Sequence, residues 1–130
     1  MIEIRTITEE TTRQTILVNI KERIGKPYLI NSPMKPSVDV HFVKGYTRNI
    51  NGVLAVTIFA TITLTTPSED GCGEAMTQVF TEKFNVAFLA QGSCDVSISV
   101  GTEQVVEPDF FRCCKAKGVS VFNTLVLDIV

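Results

Sequence analysis

One histidine and four cysteines are the side chains in this chain best suited to nucleophilic or metal chemistry. His41 sits in V-D-V-H-F-V, where alternation places it opposite Val38, Val40 and Phe42 and beside Asp39. That position predicts a solvent-facing histidine. A Cys–His nucleophile pair would need further partners, and the sequence locates none. Cys72, Cys94, Cys113 and Cys114 could in principle offer four thiolates to zinc. Structural zinc sites draw their ligands in C-x(2–4)-C pairs, and these spacings form none. The four read as free thiols that pack like small apolar groups, bound to neither zinc nor each other. Glu69 and Asp70 precede Gly71 and Gly73, but the spacing fits neither a calcium loop nor a phosphate loop and reads as a turn. No catalytic residue, cofactor or metal is expected, and the chain is not expected to be an enzyme.

The residues that could carry function instead lie on strand faces. Val53 to Thr65 alternates strictly: Leu54, Val56, Ile58, Ala60, Ile62 and Leu64 share one parity. Thr57, Phe59, Thr61, Thr63 and Thr65 share the other, so this is a long strand with one buried face. Its threonine face predicts either a solvated surface or a flat docking surface centred on Phe59, Thr61 and Thr63. The reading favours the solvated surface. Phe122 and Val126 add apolar area to the second face of the final strand, V-S-V-F-N-T-L-V-L-D-I-V, whose first face carries Val119, Val121, Leu125, Leu127 and Ile129. That strand bears a single charge, Asp128, so a partner is expected to cover it or continue the sheet beside it.

The other elements follow from the same alternation. Ile2–Ile7 and Ile16–Lys21 read as strands, the second broken by Gly25 and Pro27, with 25–37 a proline-rich connection. Val38–Lys44 is expected to pair with 53–65 in a hairpin whose longish loop spans Gly45 to Gly52. From Met76 the apolar parity is Phe80, Phe84, Val86 and Phe88, with Glu82 the exception on that face. Val96, Ile98 and Val100 form another strand. Residues 107–118 predict a short helix: Pro108 at its first position, Asp109 in the first turn, Lys115 and Lys117 in the last, and Gly118 past its end.

Composition supports a β-structured chain. Valine, isoleucine and threonine together supply 43 of the 130 residues, a vocabulary that suits a pleated surface. One domain over residues 1–130 is expected, large enough to build its own core. The fold class is all-β: an antiparallel β-sandwich or jelly-roll-like domain with one short helix before the C-terminal strand. Net charge is −2 and the basic residues are dispersed, so nucleic acid is not an expected partner. No run reaches the ~18 apolar residues of a membrane span, and M-I-E-I-R-T-I-T-E-E is unlike a secretion signal. A cytoplasmic setting is expected. Tryptophan is absent, which weighs against the alternative reading, a carbohydrate- or surface-binding β-sandwich module.

Three segments carry a resemblance: T-I-F-A-T-I-T-L-T-T-P, E-K-F-N-V-A-F-L-A-Q-G and K-A-K-G-V-S-V-F-N-T-L-V-L-D-I-V. They resemble small β-rich virion proteins of tailed bacteriophages, such as head-decoration, auxiliary-capsid or tail-completion subunits. The resemblance implies a structural protein assembled in the host cytoplasm into a virion. It would stabilise a shell or tail through contacts with its own copies or with other structural proteins.

Overall fold

In the computed structural model the described residues are 1–9, 12–29, 36–66, 75–89, 95–101, 103–112 and 115–129. They form eight strands and no helix. In chain order these are β1 (Ile2–Glu9), β2 (Arg13–Leu29), β3 (Ser37–Ile50), β4 (Val53–Thr66), β5 (Met76–Leu89), β6 (Val96–Val100), β7 (Val105–Arg112) and β8 (Lys115–Ile129). Every pairing is antiparallel. One sheet runs β1-β2-β8-β6, with β7 also on β8, and the other is the meander β3-β4-β5. The all-β expectation therefore holds.

The core lies where the apolar faces of both sheets meet. Leu54, Val56, Ile58, Ala60 and Ile62 of β4 and Phe84, Val86 and Phe88 of β5 share one buried cluster with Ile16, Val18 and Ile20 of β2 and Leu125 and Leu127 of β8. Parity dictates this, because a single face of each strand carries the branched apolar side chains. A second cluster, of Ile24, Leu64, Ala116 and Val119, is joined to the first through Val38 and Phe80.

The expected helix over 107–118 is absent. Val105–Arg112 and Lys115–Ile129 are antiparallel partners instead, with Val106 opposite Val121 and Asp109 opposite Gly118. Pro108 is tolerated because β7 bonds only to β8, leaving its donor-free side off the ladder. Gly118 ends no helix: a Cβ there would lie 2.6 Å from the Glu22 carbonyl oxygen, so glycine allows β2 and β8 to approach. A twelve-residue helix is marginal by itself, and pairing with a long apolar strand outweighs it.

The hairpin between β3 and β4 exists, but not its long loop. β3 continues to Ile50 and the turn is the two residues Asn51 and Gly52, with φ of 52° and 83°. Both left-handed values fit the tight hairpin turn that Asn-Gly favours. Residues 45 and 46 form a bulge opposite Thr57, as the register steps from Lys44–Ile58 to Thr47–Val56. β2 likewise passes through Gly25 and Pro27, bulging between Arg23 and Tyr28 rather than stopping.

The last strand is not an edge. β8 is paired with β2 along one side and with β7 and then β6 along the other. Of the two expected ways for a partner to meet β8, continuing the sheet beside it is overturned, because the chain itself fills both of its edges.

Candidate functional site

The five expected contact residues separate onto two faces. Phe59, Thr61 and Thr63 lie on β4 and Phe122 and Val126 on β8, each on the side of its sheet opposite the shared core. Phe59 stands between Val43 of β3 and Lys83 of β5, and Thr61 between His41 and Thr81. The Phe59 ring covers Gly45, where a Cβ would come within 2.4 Å of it. This aromatic–glycine pair already engages the ring within its own sheet. Thr57 donates to Asn85 Oδ1 at 2.8 Å, so the threonine face is partly satisfied across strands. His41 is exposed, as expected, with Nε2 3.0 Å from Asp39 Oδ2.

The outer face of the five-stranded sheet is different. Val105 pairs with Phe122, Leu17 lies opposite Thr124, and Val126 follows two residues beyond Thr124 on the same face. Leu17, Val105, Phe122 and Val126 therefore lie on one outer face as an apolar patch, with Thr124 between the two β8 members. Leu17 and Phe122 are 38% and 37% exposed and Val105 is 48% exposed. Charged pairs rim the patch: Arg13 with Asp128 at 2.6 Å at one end and Lys21 with Glu3 at 3.1 Å at the other.

A third arrangement lies between the sheets. Glu22 extends the apolar parity of β2, and Glu82 is the polar residue on the apolar face of β5. The two carboxyl groups are within hydrogen-bonding reach. The Met1 amine stands 3.8 Å from Glu22 and 3.6 Å from Glu82. The Glu22 side chain is 10% exposed, and its Oε1 is buried without a hydrogen bond. Burial, then the hydrogen bond to Glu82, pushes the Glu22 carboxyl up to about 7, against the pull of the amine. A cleft of about 350 Å³ opens on this site, lined by Met1, Lys21, Glu22, Arg23, Asp109, Lys117 and Gly118. The sequence marked Glu82 as out of pattern but gave no sign that Glu22 faces it.

All four cysteines, together with Glu69 and Asp70, lie outside the described residues. Among the described residues no group of three or more His, Cys, Asp or Glu side chains could hold a metal ion. No helix among them is long and apolar enough to cross a membrane. Compared with known protein families, curated proteins and solved structures, the chain matches none.

Proposed function

We propose that this chain is a structural subunit, a β-sandwich of jelly-roll-like kind, that works by binding other copies of itself. The observation that carries the reading is the patch of Leu17, Val105, Phe122 and Val126 on the outer face of the five-stranded sheet. An apolar centre with a charged rim is how contact surfaces between proteins are built. Two of the open sheet edges, β1 and β3, support contact through faces rather than edges. β1 carries a register shift at Thr6/Thr8 and the charges of Glu3 and Arg5, and β3 its bulge with Lys44 and Arg48, features that discourage strand addition. The resemblance to virion proteins of tailed bacteriophages gives the setting: a subunit that reinforces a shell or tail.

Sedimentation of the purified chain over a wide concentration range tests this. The expected result is a discrete oligomer burying more than about 1,000 Å² per contact. Leu17→Lys with Phe122→Lys should convert it to a monomer with an unchanged melting temperature, since both side chains already reach solvent. A wild-type chain that stays monomeric at high concentration would overturn the reading.

A further inference from the structure

We propose that Glu22 and Glu82 form a proton-operated latch between the two sheets, closed while one proton is shared between the facing carboxyls and opened when it leaves. Glu22 belongs to β2 of the five-stranded sheet and Glu82 to β5 of the meander, and the Met1 amine stands 3.8 Å from one carboxyl and 3.6 Å from the other, so a proton shared between the two carboxyls would tie the sheets directly. The site is desolvated on the Glu22 side, whose Oε1 is buried without a hydrogen bond. Two carboxylates at such range cannot both ionise without cost, so a single proton between them is the stable arrangement.

The surrounding charges fit a neutral closed state. β1 contributes the Met1 amine, in reach of both carboxyls. β2 contributes Lys21 and Arg23, β7 contributes Asp109 and β8 contributes Lys117, all at the cleft. Lys21 is held by Glu3 at 3.1 Å. β8 places the apolar Val119 opposite Glu22, and β4 places Ala60 opposite Glu82, so neither offers a compensating charge. One carboxylate, one carboxylic acid and the Met1 ammonium sum to zero between the sheets, while Arg23, Asp109 and Lys117 leave one further positive charge along the cleft lining. Loss of the proton leaves an excess negative charge between the sheets, and the cleft gives water a way to reach it.

The pH dependence has a definite sign. Glu22 has an ordinary value of 4.5 and is raised to about 7 in the folded chain. Between those values the folded chain holds a proton that the unfolded chain releases, so stability falls as pH rises. The contribution is fully present below 4.5 and is gone once pH has passed through about 7.

Melting the wild-type chain from pH 4.5 to 9 tests the latch, with Glu22→Gln and Glu82→Gln beside it. The wild type should lose about 5 °C or more across the window, and Glu22→Gln should flatten the slope. Carbon NMR of the labelled glutamates in the wild type reads the same proton without any substitution, and it decides the matter should a variant not fold. One carboxyl should titrate near neutrality. His41→Asn should leave the slope intact, because that ring stands on an outer face beside Asp39. A chain with two residues added before Met1 moves the amine away and should shift the carboxyl midpoint upward. Midpoints of both glutamates in the usual 4 to 5 range would overturn the proposal. So would a slope unchanged in Glu22→Gln, or one abolished by the added residues.

Discussion

At the scale of single residues, the contacts that matter most join positions far apart in sequence. Phe59 could be read as outward-facing from parity alone, but its glycine floor could not, because the β3 bulge that presents Gly45 depends on register. Gly45→Ala should therefore cost about 1–3 kcal/mol by forcing the ring aside, and urea unfolding measures it. Combining it with Phe59→Ala should recover part of the loss. Asp95 gives a second residue-scale expectation. The Lys44 ammonium, then the Val96 amide, hold its carboxyl below the usual carboxylate range. Lys44 is on β3 and Asp95 precedes β6, so this pair also links the two sheets. Its contribution is present above about pH 4 and is lost as pH falls through the depressed value. The melting temperatures of wild type and Asp95→Asn should then converge in acid, whereas the Glu22 effect appears on the opposite side of the scale.

At the scale of elements, alternation made β4, β5 and β6 legible nearly to their ends. Ile58 is fully buried in the shared cluster, and Ile58→Ala should cost about 2–5 kcal/mol in chemical unfolding. The helix over 107–118 failed for a physical reason. Proline, acidic, basic and glycine positions satisfied local helix rules, while the competing strand pairing is written in the register between residues 105–112 and 115–122. Far-ultraviolet circular dichroism should accordingly show a β spectrum without a helical component. Gly118→Ala separates the two accounts more sharply. Just beyond a helix alanine would cost about 1 kcal/mol for a left-handed backbone, whereas here its methyl would strike the Glu22 carbonyl at 2.6 Å, so a larger destabilisation is expected on a thermal melt. The Asn51-Gly52 turn was within reach of sequence reasoning, since that dipeptide is the strongest short hairpin signal. The bulge at Gly45 and Tyr46 hid it by breaking the parity of β3.

At the scale of the whole molecule, the two sheets differ in how they are strung. The meander β3-β4-β5 joins neighbours in the chain, whereas β8 must meet β2, 86 to 115 residues earlier, as well as β6 and β7. The apolar ending of the sequence signalled that this strand would be covered. What it could not convey was that the chain itself pairs both edges of β8, because strand order is a long-range property. The outward patch of Leu17, Val105, Phe122 and Val126 is assembled only once β8 is in place, since two of its members belong to that strand. Synthesis runs from the other end. A released chain truncated after Arg112 can close the meander but not the larger sheet, and limited proteolysis should cut β1 and β2 freely in it. The face that carries Leu17, Val105, Phe122 and Val126 thus comes into being only with residues 115–129, so it is the last surface of the described strands to be completed as the chain is made.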